Sequence, residues 1–98
     1  MVRVKLPYHL QNLAHTAAEV ELQVDGAVTP RTILDALETK YPMLRGTICE
    51  HESGKRRAYL RYFACQEDLS LDSPDTSLPA AVAEGKEPFI VMTAIAGG

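Results

Sequence analysis

The most reactive feature of this sequence lies at its end, where Ala96-Gly97-Gly98 follow an apolar run over residues 89–95. Alternating side chains in that run predict a strand that leads directly into a tail without bulky groups. Because glycine has no Cβ, Gly97 and Gly98 can adopt extended or positive-φ conformations and pass through a channel too narrow for other residues. The group that such a tail presents is the α-carboxylate of Gly98, which we take as the candidate reactive group.

Side chains elsewhere offer little competing chemistry. His9 and His15 lie six residues apart, and Cys49 and His51 lie two apart. Neither pair has an established zinc spacing, and no second pair completes four ligands, so we predict no metal site. Nothing marks Cys49 as an activated thiolate beside His51. Cys65 is interpreted as a small residue at the end of a strand.

Length, charge and cysteine content exclude several classes of protein. The chain has 98 residues and a net charge of -3, which predicts one domain over residues 1–98 and argues against a nucleic-acid binder. The basic cluster Lys55-Arg56-Arg57 is interpreted as a solvated loop, with an anion-binding site as the alternative. No apolar run approaches the ~20 residues that span a bilayer. Two cysteines without an export signal indicate free thiols and a cytoplasmic location.

Period-two alternation predicts a sheet. Strands are expected over residues 2–6, 20–24, 59–64, 69–71 and 89–95. The first two would form an antiparallel hairpin across a loop over residues 7–18, and the third and fourth would be joined by a turn at residues 65–68. Since the last strand is apolar on both faces, it is expected at the middle of the sheet or against a partner.

One main helix is predicted between these strands. Thr29 is its N-cap and Pro30 its first residue, and apolar residues from Ile33 recur at helical spacing until Pro42 ends the pattern. Residues 46–57 are expected to form a long exposed loop, and residues 78–82 a short helical turn that Gly85 ends. The order favours an α+β fold in which the helix packs on a mixed sheet of four to five strands, with the first strand beside the last.

This pattern resembles the ubiquitin-like β-grasp family of sulfur carriers, the MoaD and ThiS proteins, which include the small subunit of molybdopterin synthase. The resemblance covers essentially the whole chain. It rests on the strand over residues 2–6, the helix Ile33-Leu34-Asp35-Ala36-Leu37 followed by Tyr41-Pro42-Met43-Leu44, the segment 78–85 and the terminal Ala96-Gly97-Gly98. Gly-Gly directly after a final strand is the most specific of these features.

The resemblance implies a function that is carried out on other proteins. An E1-like enzyme would adenylate the Gly98 carboxylate with ATP, and a sulfur donor would displace AMP to leave a thiocarboxylate. A sulfur-accepting enzyme, such as the large subunit of molybdopterin synthase, would then take the sulfur. The chain would be a protein co-substrate that binds no cofactor stably, and its tail, with Gly97 before Gly98, would be flexible.

The resemblance also implies a docking face. Related carriers use an apolar outer sheet face to bind both partners, and Met92 is the central candidate there, although core packing is the equal alternative. Phe63 and Leu69 are weaker candidates for the same face. Ile95 and Ala96 would contact partners where the strand passes into the tail.

Departures from the family leave the acceptor open. Relatives often carry Pro-Pro before the tail, where this chain has Thr93-Ala94, and many carry an Asn-Gly-like hairpin where it has Cys65-Gln66. The long loop over residues 46–57 favours a carrier for molybdopterin or cysteine biosynthesis over one for thiamine. A ubiquitin-like modifier and a binding module with an incidental Gly-Gly are the remaining alternatives.

Overall fold

The computed structural model describes residues 1–49, 56–57 and 60–93. Within these residues the helices and strands follow one another as β1 (Val2–Lys5), α1 (Tyr8–Ala14), β2 (Glu19–Leu22), α2 (Pro30–Lys40), a 3-10 helix (Pro42–Leu44), β3 (Leu60–Ala64), β4 (Glu67–Asp68), α3 (Ala80–Ala83) and β5 (Phe89–Thr93). None of the helices in this described part has the length and apolar character needed to cross a membrane.

The described strands form one mixed sheet in the order β2-β1-β5-β3-β4. β5 runs parallel to β1, with Val4 opposite Phe89, and antiparallel to β3, with Tyr62 opposite Val91. β1 and β2 form the antiparallel hairpin at one side. The α+β class, the pairing of the first strand with the last, and the central place of the last strand are therefore confirmed.

Helix α2 starts where its sequence predicts. The Thr29 hydroxyl accepts a hydrogen bond from the backbone N–H of Thr32 at 3.1 Å, and the Thr32 hydroxyl accepts one from the N–H of Thr29 at 2.9 Å. These two bonds satisfy N–H groups that have no partner inside the helix. Pro30 occupies the first helical position, where its missing N–H costs nothing.

The core lies between the sheet and the helices. α2 contributes Ile33, Leu34 and Leu37, and Leu44 packs just beyond its end. The sheet contributes the alternate residues Val2, Val4, Val20, Leu22, Leu60, Tyr62, Ala64, Phe89 and Val91. Fully burying one such large aliphatic or aromatic side chain contributes about 1.5–3 kcal/mol. The opposite face of the sheet carries no helix in the described part of the chain.

The prediction of a loop over residues 7–18 is wrong, because Tyr8–Ala14 form α1. The helix buries Leu10 and Ala14, four residues apart, and ends at His15 with φ 56°. A helix of this length is marginal on its own, so tertiary packing of these two side chains stabilises it. The sequence pattern around it is too short to reveal that packing.

Two further predictions need correction. The loop over residues 46–57 is not simply exposed, because Ile48 is fully buried and Cys49 pairs with Arg56 in an isolated β-bridge. The fourth strand is Glu67–Asp68 rather than residues 69–71, because the turn at Cys65 and Gln66 is tighter than expected. Both turn residues have positive φ, a conformation for which Asn and Gly are the usual signals.

The turn before β5 is fixed to β1 at two points. Arg3 donates from Nε to the carbonyl of Gly85 at 2.7 Å and from Nη2 to that of Lys86 at 2.9 Å. Gly85 has φ +80°, and a Cβ at this position would lie 2.5 Å from the Met1 carbonyl oxygen. The chain thus approaches β1 so closely here that only glycine fits.

Gly85→Ala is therefore expected to destabilise the fold by about 2–4 kcal/mol, from the positive φ together with the steric clash. Gly26→Ala is the matched control, because Gly26 has φ +79° but nothing within 4 Å of the added Cβ. That variant should lose only about 1 kcal/mol. Urea unfolding of both variants measures the difference, and equal losses would show that the approach of Met1 does not constrain the turn.

Candidate functional site

The two faces of β5 differ in burial. Phe89 and Val91 point into the core, and the Phe89 ring lies 5.3 Å from that of Tyr62. Ile90 is half-buried on the other face, and Met92 is 45% exposed. The open question about Met92 is thereby decided in favour of the outer face.

The pairing register brings three apolar side chains together on that outer face. Phe63 of β3 lies opposite Ile90, and Met92 follows Ile90 by two residues on the same side of β5. We call Phe63, Ile90 and Met92 the outer-face patch. Phe63 lies where the sequence predicted it, whereas Ile90 was not identified as a binding residue, although its alternation with Met92 was a signal for it.

Cationic side chains flank the outer-face patch. Lys5 of β1 is opposite Ile90 and is exposed, and Arg61 of β3 is opposite Met92. Arg61 makes only a long contact of 3.4 Å to Asp68, with both side chains more than 40% exposed. Such an exposed pair is weak. The patch therefore offers apolar contacts with Lys5 and Arg61 beside it, and with Asp68 opposite Phe63 on the β4 side. The sequence alone did not predict these flanking charges.

Leu69 does not belong to this surface. It follows β4, is only 9% exposed, and joins the core, while its N–H donates to the Tyr62 carbonyl at 2.7 Å. Its prediction as an outer-face residue is wrong because the strand ends at Asp68, and the chain then turns Leu69 inward. The predicted residues Ile95, Ala96, Gly97 and Gly98 lie outside the described residues.

Cys49 is held in a setting that suppresses thiolate chemistry. Its Sγ lies 3.3 Å from the hydroxyl oxygen of Tyr62. Burial raises the pKa of the Cys49 thiol, and the nearby carboxylates of Glu38 and Asp35 raise it further. Burial also raises the pKa of Tyr62 well above its usual value. At neutral pH both groups are thus protonated, so Cys49 is poorly suited to act as a nucleophile.

The other side-chain candidates are dispersed. His9 is exposed on α1 and His15 lies at the end of that helix, while His51 lies outside the described residues. In the described ranges there is no group of three or more His, Cys, Asp or Glu that could hold a metal ion.

The two described residues of the basic cluster, Arg56 and Arg57, stabilise the fold. Arg56 donates from Nε to the Ser70 carbonyl at 3.0 Å and from Nη1 to that of Leu60. Arg57 donates from its side chain to the Gly46 carbonyl. These bonds tie the 46–57 segment to the β3–β4 hairpin, so the description of Arg56 and Arg57 as solvated is wrong.

The comparisons with known proteins are structural. No family model matches the chain, and no curated protein matches its sequence. A chain of the BexX/CysO complex of Amycolatopsis orientalis is similar in structure with TM-score 0.77 at 19% identity, covering 100% of both chains. SAMP1 from Haloferax volcanii has TM-score 0.74 at 22% identity, covering 99% of this chain and 98% of its own.

A third structure adds to these. The small archaeal modifier protein 1 of Methanosarcina acetivorans has TM-score 0.72 at 23% identity, covering 99% of this chain and 95% of its own. These three neighbours share the fold of this chain. The ubiquitin-like β-grasp fold that the resemblance implies is therefore confirmed over essentially the full length of the chain.

The raised pKa of Cys49 predicts slow alkylation. In a Cys65→Ser protein, iodoacetamide should modify Cys49 with a rate-against-pH midpoint above that of an unhindered thiol, because the thiolate is the reacting form. Intact mass measured over time gives the rates, and unfolded protein in urea provides the reference midpoint. A folded midpoint at or below that reference would contradict the assigned surroundings of the thiol.

Proposed function

We propose that this chain is a sulfur carrier whose Gly98 carboxylate is adenylated by an E1-like enzyme and then converted to a thiocarboxylate. The observation that carries the proposal is the position of β5. It is the central strand of a β-grasp sheet. Gly98 follows Thr93, the last residue of β5, by only five positions in the sequence. A fully extended segment of that length spans at most about 18 Å, so the docked domain must hold the carboxylate near a partner's site.

The chemistry needs activation because a carboxylate is a poor electrophile. An oxygen of the Gly98 carboxylate attacks the α-phosphorus of ATP, and pyrophosphate leaves. Hydrosulfide from the sulfur donor then attacks the acyl carbon, AMP leaves with the former carboxylate oxygen, and loss of the S–H proton gives the thiocarboxylate. ATP and the catalytic groups belong to the activating enzyme. The chain supplies the acyl group and the docking surface, so it acts as a co-substrate and not as an enzyme.

The outer-face patch is the surface that we assign to docking. Exposed Met92 and half-buried Phe63 and Ile90 provide apolar contact area next to the end of β5. Lys5 and Arg61 beside them favour a partner with an apolar centre and carboxylates around it. One of the similar chains was crystallised in a complex, the BexX/CysO complex, which supports a docking role for a chain of this fold.

The acceptor that we propose is the large subunit of a molybdopterin synthase, since the resemblance covers the small subunit of that enzyme. Enzymes that form cysteine or the thiazole of thiamine are the alternatives. In each case the acceptor takes sulfur from the same Gly98 thiocarboxylate, so the steps on this chain are the same.

A modifier function is the second candidate. Two of the structural neighbours are named small archaeal modifier proteins. The same activated Gly98 would then form an amide bond with an amino group of another protein, and AMP would leave. A modifier would give covalent conjugates of higher mass that survive denaturation. A carrier that forms only the thiocarboxylate would give no such conjugates.

Intact-mass measurement on protein purified from its native host tests the carrier function. A fraction of the molecules should carry one sulfur in place of one oxygen, located at Gly98 by fragmentation, since the thiocarboxylate is the stored form. Treatment with an alkylating reagent should label the same residue. A variant lacking Gly98 is the matched control. Unmodified protein under conditions in which the sulfur-dependent pathways run would contradict the proposal.

Met92→Ala tests the docking surface. Removing its partly exposed side chain should weaken binding to the activating enzyme by about fivefold, or about 1 kcal/mol, because apolar contact area is lost. Leu13→Ala is the matched control, since Leu13 of α1 is 43% exposed against 45% for Met92. Calorimetric titration gives both affinities. Equal effects of the two variants would place the docking site elsewhere.

A further inference from the structure

One edge of the described sheet is open. It lies on the far side of β1 from β5 and the outer-face patch. β2 is the edge strand, paired only with β1 within the described residues. The N–H of Leu6 donates to the carbonyl of Ala18 at 2.9 Å, which continues the pairing of Val4 with Val20 and of Val2 with Leu22. In an antiparallel ladder, residues alternate in the direction of their backbone groups. The backbone groups of Glu19 and Glu21 therefore point away from β1.

Among the described residues, these outward groups have a hydrogen-bond partner at one position only. The Glu21 carbonyl accepts a hydrogen bond from Lys40 Nζ at 3.1 Å. In the described part of the chain no bond engages the outward N–H groups of Glu19 and Glu21 or the Glu19 carbonyl. Lysine at an exposed edge is a common protection against unwanted strand pairing. Here it is an exposed side chain that can swing aside.

A groove runs along the same edge. It has a volume of about 360 Å³ and lies between β2 and the second half of α2. Exposed Met1 and half-buried Ala36 supply apolar surface, Leu22 lies among the lining residues but is only 2% exposed, and Thr39 and Lys40 form the helical side. An added strand would place alternate side chains over this groove.

The other face of such a strand would meet negative charge. Glu19 and Glu21 lie on the outer side of β2, and exposed Asp25 follows shortly after its end. Arg3 engages Glu19 at 2.9 Å and lies opposite Glu21 in the β1–β2 register, and Glu21 is the more exposed of the two carboxylates. Opposite charges directly across a pair of strands are favourable and like charges are not. Complementarity thus requires basic side chains at the positions opposite the carboxylates.

We propose that the β2 edge and the groove beside α2 bind an extended partner segment in which Lys or Arg alternates with apolar residues. The segment adds a sixth strand to the described sheet by backbone hydrogen bonds to Glu19 and Glu21. Its apolar side chains lie over Met1 and Ala36, and its basic side chains face Glu19 and Glu21. This site lies on the far side of β1 from β5, so it can be occupied while the tail is engaged by an enzyme.

An NMR titration of the full chain with a short capped peptide of alternating lysine and valine tests the proposal. Amide shifts should change at residues 19–23 and 36–40, and hydrogen exchange at Glu19 and Glu21 should slow, since their N–H groups become bonded. Two control peptides separate the contributions. One replaces lysine by glutamate, and the other keeps the charge but has proline at the valine positions; both should bind at least about tenfold more weakly.

Variants of the chain locate the site. Glu21→Lys should weaken binding about fivefold, whereas Glu87→Lys makes the same charge change at an exposed position away from the groove and should not. Glu21→Pro should abolish it, because proline removes an N–H that points away from β1 and leaves the β1–β2 ladder intact. Lys40→Ala should tighten it by freeing the Glu21 carbonyl.

Three results of the peptide titration would overturn the proposal, and so would a fourth result obtained without peptide. The first is that the glutamate peptide binds as tightly as the lysine peptide. The second is that Glu21→Lys and Glu87→Lys weaken binding of the lysine peptide equally. The third is that the amide shifts of residues 19–23 do not change. Shifts at the same amides that depend on protein concentration without peptide would also overturn it, since the edge would then pair with a second copy. Removal of Gly98 should leave peptide binding unchanged, so the experiment is independent of the sulfur chemistry.

Discussion

The pairing of β5 on both of its edges is the interaction on which the rest of the structure depends. β1 and β3 flank this strand, and its inward residues Phe89 and Val91 are almost completely buried. A slip of one residue would turn both side chains to the outer face and break two ladders at once. The strand before the tail is therefore fixed in register, and the close turn at Gly85, tied to β1 by Arg3, fixes where it starts.

This arrangement separates three tasks on a small domain. The inner face of the sheet stabilises the fold through α2, and the outer-face patch of Phe63, Ile90 and Met92 stays available for contact. The β2 edge lies one strand beyond β1, next to the groove with α2. Because no described helix covers the outer face and no described strand covers the β2 edge, two surfaces remain open without any loss of core packing.

The sequence was sufficient for features that depend on local chemistry or strong alternation. The cap at Thr29 and Pro30, the two-faced pattern of β5 and its place in the sheet were all predictable. Helix α1 was not, because Leu10 and Ala14 become a helical face only once they meet the core. Leu69 was misplaced because its burial depends on a tight turn at Cys65 and Gln66 that these residue types do not signal. The charges around the patch needed the strand register, which pattern alone does not set.

Our central claim is that the Gly98 carboxylate is the group that an E1-like enzyme activates. Isotope exchange between pyrophosphate and ATP tests this claim most directly. An E1-like enzyme from the same host, mixed with this chain, ATP and labelled pyrophosphate, should return label to ATP, because adenylation of the carboxylate is reversible. The exchange should require the chain and should disappear when Gly98 is deleted, while the β-grasp domain stays folded. Exchange that persists at the same rate without Gly98, or that never depends on this chain, would contradict the account.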